Sequence, residues 1–99
     1  MAPERTPDGR WIVVDGRRWR ATDPEIPDDV RARLQSHLGA ARSAVRTAKR
    51  SGDDHALAAA RERVGTAKHG LGERGTPWWE QDTRTRRKRW SDALAALDD

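Results

Sequence analysis

Leu38-Gly39-Ala40-Ala41-Arg42-Ser43-Ala44-Val45-Arg46-Thr47-Ala48-Lys49, a break at Ser51-Gly52-Asp53, and Leu57-Ala58-Ala59-Ala60-Arg61-Glu62-Arg63-Val64-Gly65-Thr66-Ala67-Lys68 decide the fold of this chain. Apolar residues recur at helical spacing through both runs. Val30, Leu34, Leu38, Ala41, Val45 and Ala48 mark the first helix, and Leu57, Ala60, Val64, Ala67 and Leu71 the second. From Leu34 the steps alternate between four and three, a seam of a and d type. Pro27 suits a first helical position, with Asp28 and Asp29 near the positive end of the dipole. Gly52 stops that helix and Asp53 can cap the next. Two seams joined by a tight turn predict an antiparallel αα-hairpin, with helices over residues 27–51 and 53–71. Alanine at half the seam positions lets the helices approach closely. The two runs also match each other at an offset of 19, with eight of twelve positions identical. That reads either as a duplicated helix or as convergence of two Ala- and Arg-rich seams. Two copies are too few for a solenoid.

Working outward toward the N-terminus, Trp11-Ile12-Val13-Val14-Asp15-Gly16-Arg17-Arg18-Trp19-Arg20 reads as a β-hairpin over residues 10–20. Asp-Gly between β-branched and aromatic residues is the signal of a two-residue type I′ turn. That loop pairs Val14 with Arg17, Val13 with Arg18, Ile12 with Trp19 and Trp11 with Arg20. Ile12, Val14 and Trp19 then share one face, and Trp11 lies on the other beside Arg18 and Arg20, in reach of a cation–π contact. A lone hairpin is marginal in water, so the Ile12/Trp19 face is expected to rest on the helices. Residues 1–9 are polar and Pro-rich and read as a flexible N-terminus. Beyond the second helix, Gly70 or Gly72 is the expected C-terminal cap, and Thr76-Pro77 opens a third helix over residues 77–97 with Trp90, Ala93, Leu94 and Leu97 on one face. The expected fold is mainly α: a short N-terminal β-hairpin packed on an antiparallel αα-hairpin, plus a C-terminal helix, in a single small domain over residues 10–99.

Composition bounds what such a domain can do. Of 99 residues, 34% are hydrophobic and 36% charged, with no Phe, Tyr or Cys and five Trp; the mean hydropathy is −1.04. So little apolar material makes a thin core with no room for a buried catalytic cleft. Without cysteine there is no disulfide, thiolate metal site or thiol nucleophile. The longest apolar run is Trp11-Ile12-Val13-Val14, far too short to span a bilayer, and the N-terminus lacks the apolar core of a secretory signal. A cytoplasmic location is the resulting expectation. The net charge of +4 is unevenly placed: residues 1–29 carry −2, residues 30–71 carry +6 and residues 72–99 are neutral.

Candidate sites are therefore sought on the surface. His37, His55 and His69 do not assemble a metal ligand set, no phosphate-cradling glycine motif occurs, and no acid, base and nucleophile come together. Neither a catalytic residue nor a metal or other cofactor is expected, nor a small-molecule substrate. Arg42, Arg46, Lys49 and Arg50 form a basic stripe on the first helix that Arg61 and Lys68 extend on the second, and Arg84, Arg86, Arg87, Lys88 and Arg89 form a denser run ending at Trp90. These eleven residues are candidate nucleic-acid or anion contacts; otherwise they are solvated charged faces. Trp78 and Trp79 are adjacent and cannot both point the same way on a helix. Either one remains exposed as a protein-contact anchor, or both close the end of the helical hairpin with Trp11 or Trp19.

Pro7-Asp8-Gly9-Arg10-Trp11-Ile12-Val13-Val14, Gly16-Arg17-Arg18-Trp19-Arg20-Ala21-Thr22, and Ala67-Lys68 followed by Leu71-Gly72-Glu73-Arg74-Gly75 and Pro77-Trp78-Trp79 carry a resemblance. Over residues 7–80 the chain resembles a family of small bacterial proteins, mostly catalogued as hypothetical and sometimes labelled "biopolymer transporter Tol". The resemblance implies no catalytic residue. Family members continue past the paired Trp with an Asp-Gly and Asn-Arg-containing tail, whereas this chain has Glu80-Gln81-Asp82 and the basic run. The functional expectation is a non-enzymatic interaction or structural module with a protein partner or self-association. The alternative is a nucleic-acid-binding protein using the basic helical hairpin and the 84–89 run.

Overall fold

The computed structural model describes residues 4–98. A three-stranded antiparallel sheet in the order β1-β2-β3 precedes three helices. The strands are β1 Glu4–Arg5, β2 Trp11–Val14 and β3 Arg17–Arg20; the helices are α1 Asp28–Ser51, α2 Asp54–Gly70 and α3 Thr83–Asp98, with a 3-10 turn at Trp78–Glu80. The fold is thus mainly α with an N-terminal β-hairpin. Among the described residues, no helix is long and apolar enough to cross a membrane.

The hairpin has the expected register, Ile12 opposite Trp19 and Val14 opposite Arg17. Asp15 and Gly16 take φ of 51° and 75°, the left-handed pair that a type I′ turn requires. Residues 4–5, read from sequence as part of a flexible lead-in, instead form β1 against β2, with Glu4 opposite Val13. Local hydrogen bonds turn the chain back there: the Thr6 amide donates to the Trp11 carbonyl at 2.9 Å, and the Arg10 amide donates to Asp8 at 3.1 Å. Residues 1–3 lie outside the described part.

The helical hairpin closes as its capping residues dictate. Gly52 has φ 69°, its amide donates to Lys49, and the Asp53 amide donates to Ala48. Asp53 then accepts from the Ala56 amide at 2.9 Å and starts α2. The same device ends α2: Gly72, at φ 79°, donates to His69, and Glu73 donates to Lys68. The expected helix over 77–97 is interrupted. Trp78 is buried and its indole Nε1–H donates to the Ala21 carbonyl at 2.9 Å, which holds residues 78–80 in the 3-10 turn. Asp82 accepts from the Thr85 amide at 2.8 Å, and α3 begins there.

Leu34, Leu38, Ala67, Leu71, Trp90, Ala93, Leu94 and Leu97 form one core with Ile26, and Val30 and Val64 pack at its edge. α3 lies on the face of the helical hairpin that presents His37, Arg63 and Gly70. His37 Nε2 and Asp98 Oδ1 are 2.7 Å apart, Arg33 also pairs with Asp98, and Arg63 donates to the Leu97 carbonyl at 2.9 Å. At Gly70 a Cβ would stand 2.6 Å from that of Ala93 and 3.2 Å from Leu34 Cδ2. The approach of α2 to α3 therefore requires glycine.

Asp23, in the segment between sheet and α1, is only 1% exposed. It accepts from Arg86 Nε and Nη2 at 3.0 and 2.6 Å, from Arg89 Nη2 at 2.5 Å and from the Glu25 amide at 2.9 Å. Its own amide donates to the Leu71 carbonyl at 2.9 Å. Burial pushes the carboxyl upward, but the hydrogen bonds from Arg86, Arg89 and the Glu25 amide outweigh it and hold it below its ordinary 3.8.

Two predictions follow the packing. Gly70→Ala is expected to destabilise by about 1–3 kcal/mol through overpacking, whereas Gly39→Ala, on an exposed stretch of α1 with nothing within 4 Å, should stabilise by about 0.5–1 kcal/mol. Urea unfolding of both variants distinguishes a steric effect from helix propensity. Asp23→Ala strands two guanidiniums and is expected to cost about 3–5 kcal/mol. Because the folded carboxyl titrates below its ordinary value, its contribution is present above pH 3.8 and lost as pH falls through the folded value. The wild type should accordingly lose stability in acid more steeply than Asp23→Asn, measured by thermal melts across pH 2–6.

Candidate functional site

The face of the helical hairpin opposite α3 carries most of the basic stripe read from sequence. Residues one or two turns apart on a helix share a face, so Arg42 and Arg46 on α1 and Arg61 and Lys68 on α2 project together. Arg42, Arg46, Arg61 and Arg74 rim a groove of about 470 Å³ whose floor is Val45 and Val64. Among the described residues, no carboxylate lies within ion-pair distance of these four guanidiniums; the ion pairs present use other residues. Val45 and Val64, both seam residues, remain half-buried because α3 occupies the other face.

The repeated sequence supplies the groove in matched pairs. At the offset of 19, Arg42 corresponds to Arg61 and Val45 to Val64. Arg46 corresponds to Gly65, where a side chain is missing. A Cβ on Gly65 would stand 3.6 Å from Arg74 Nη1, so the guanidinium of Arg74 reaches back over the glycine and supplies the fourth charge. Sequence reasoning missed Arg74 because it follows α2 in a loop. Its signal was the glycine that breaks an otherwise basic repeat.

A second groove of about 440 Å³ continues from the first and shares Arg42 with it. Ile12, Val14 and Trp19 of the sheet form one wall, and Arg42, Lys68 and Glu73 form the other. The Ile12/Trp19 face was expected to rest on the helices; instead Val14 and Trp19 are each 40% exposed. The opposite face anchors the sheet. Trp11 meets Trp79 edge-on at 5.6 Å, Trp79 meets Trp78 at 5.1 Å, and Arg20 donates to the Gly75 carbonyl at 2.8 Å. Arg18 stacks on Trp11 and Arg10 on Trp79, each ring thereby taking a cation. The paired tryptophans therefore close the end of the helical hairpin with Trp11. Trp78 is no protein-contact anchor, and Trp79 is half-covered.

Charge crowding is felt at Lys68. Burial lowers its ammonium below the ordinary 10.5, and the positive charges of Arg74 and Arg42 lower it further against the pull of Glu73. Its Nζ lies 5.4 Å from the Trp19 ring, and the Arg17 guanidinium lies 4.3 Å from the same ring. Arg20 lines this groove as well, with a buried Nε–H that has no partner among the described residues.

The other candidate residues separate into groups. Lys49 and Arg50 are exposed at the tip of the helical hairpin, outside both grooves. The 84–89 run is divided by helix periodicity. Arg86 and Arg89 turn inward to Asp23, and Arg89 also donates to Gln81 Oε1 and the Gly70 carbonyl, so neither is free for an external anion. This corrects their assignment as surface contacts: Asp23, in the segment between β3 and α1, is the acid that claims them. Arg84, Arg87 and Lys88 face outward, Lys88 pairing with Asp92 at 2.7 Å. Of the histidines, His37 serves the Asp98 clasp, and His69 packs beside Gly75.

In comparisons with protein-family models, curated proteins and solved structures, the chain shows no significant match to any of them.

Proposed function

We propose that the protein is a non-enzymatic binding module that docks a polyanionic partner in the groove between α1 and α2. The observation that carries this reading is the convergence of Arg42, Arg46, Arg61 and Arg74 on an apolar floor, with no carboxylate within ion-pair distance of them among the described residues. An ordinary solvated helix face interleaves both signs, as Lys88 and Asp92 do on α3. Gathering like charges instead raises the folding cost and is offset when an anion binds. Arginine suits the role because its planar fork meets carboxylate or phosphate oxygens in pairs. The module is read as cytoplasmic and as a member of the small bacterial family that its hairpin and Trp78-Trp79 blocks resemble.

The test uses heparin as a generic polyanion at low salt. Wild-type protein should bind, and binding should weaken as salt rises. The double reversal Arg42→Glu/Arg61→Glu should weaken binding at least about tenfold and flatten the salt dependence by about two contacts. Arg84→Glu/Arg87→Glu on α3 should change it far less. Equal losses in the two double variants would point to net charge and remove the groove from the reading.

A further inference from the structure

We propose that the polyanion is single-stranded nucleic acid, with a base stacked on Trp19 and the adjoining phosphates on Arg42 and Lys68. The inference rests on the cationic groove being the binding surface and adds to it the sheet face across the second groove.

Three observations converge on Trp19. Its indole is exposed on a wall shared with Val14 and Ile12, forming an apolar patch that the fold leaves open. Trp19 and Trp90 both stand outside the aromatic contacts linking Trp11, Trp79 and Trp78, but Trp90 is buried in the core whereas Trp19 is exposed. Cations also gather on it: the Arg17 guanidinium lies over the ring at 4.3 Å and the Lys68 ammonium at 5.4 Å, with Arg42 in the same groove. A base stacking there takes the place of the Arg17 guanidinium on the indole, and the displaced cation and Lys68 then meet the adjoining phosphates.

The alternatives use only part of this arrangement. An acidic peptide would satisfy the arginines and leave the indole face idle. A duplex keeps its bases stacked internally and offers only phosphates. Single strands expose both parts at intervals of one nucleotide, and proteins that hold them combine a positive track with an aromatic platform. Arg42 lines both grooves, so a strand stacked at Trp19 continues without interruption onto Arg46, Arg61 and Arg74. The grooves offer a stacking platform and cations for phosphates, so only a modest sequence preference is expected.

The experiment compares a short oligothymidylate with an abasic phosphodiester of equal length, using the full chain at low salt. The oligothymidylate is expected to bind more tightly. Trp19→Leu should cut its affinity roughly 5- to 100-fold, the range of one stacking contact, and leave the abasic strand unchanged. Trp19→Phe should keep an intermediate affinity; both variants fill the same position, so their contrast reads the ring and not the hairpin. Equal binding of the two strands by wild type, or equal loss for both strands in Trp19→Leu, would overturn the stacking proposal while leaving the arginine groove intact. Tighter binding of polyglutamate than of the oligonucleotide would do the same. Failure of heparin, oligothymidylate and polyglutamate alike to bind would remove the groove reading as well.

Discussion

A single buried carboxylate organises this small protein. Asp23 binds α3 through two guanidiniums and α2 through the Leu71 carbonyl, and it sits two residues from the carbonyl of Ala21 that anchors Trp78. Burying an anion is costly unless every lone pair is met. Here the four hydrogen bonds it accepts, three of them charge-assisted, leave little of that carboxylate unpaired. A chain with only thirteen Leu, Val and Ile residues lacks the apolar surface to position a third helix by burial alone. The ion network adds the direction that a thin Ala- and Leu-based core cannot provide.

That network also determines what remains on the surface. By drawing Arg86 and Arg89 inward it dismantles the densest basic run in the sequence, leaving the helical hairpin as the principal cationic face. Much of the hairpin and of the stretch over residues 71–79 likewise serves architecture. Gly72 ends α2, Glu73 accepts from Thr22 at 2.8 Å, Gly75 accepts from Arg20, and Trp79 meets Trp11. Those residues join the sheet to the helices. Of the proposed binding groups, Arg42, Arg46 and Arg61 lie outside the blocks that carry the family resemblance and Trp19, Lys68 and Arg74 within them, so the blocks both join the sheet to the helices and border the grooves.

Local chemistry was legible in the sequence wherever it acts over short range. The register around Asp15-Gly16, the turn at Gly52 and the cap at Asp53 each depend on residues within a few positions of one another, and each stands as read. Helix periodicity likewise places Arg42 with Arg46 on α1 and Arg61 with Lys68 on α2, while the meeting of the two pairs needs the hairpin to close. What depends on distant residues was not. Whether Arg86 and Arg89 face outward depends on an aspartate more than sixty residues away, and nothing in the basic run marks two of its five cations as internal. The face on which the sheet rests was also hidden. Both faces carry tryptophan, and the choice is made by the Pro77-led 3-10 turn that presents Trp79 to Trp11. Arg74 escaped notice because its position relative to Gly65 exists only after the loop has folded back.

The correspondence between the two helical runs has a geometric consequence. Antiparallel helices with matching sequence are related by an approximate two-fold axis, and the pairs Arg42/Arg61 and Val45/Val64 place that axis through the floor of the groove. A linear ligand laid across such an axis meets nearly the same contacts whichever way it runs. Direction along the strand can then come only from off-axis features, which here are Arg74 at one end and the indole of Trp19 at the other side of Arg42. In the proposed binding mode the matched helices supply grip without orientation, and the unmatched loop and hairpin supply polarity.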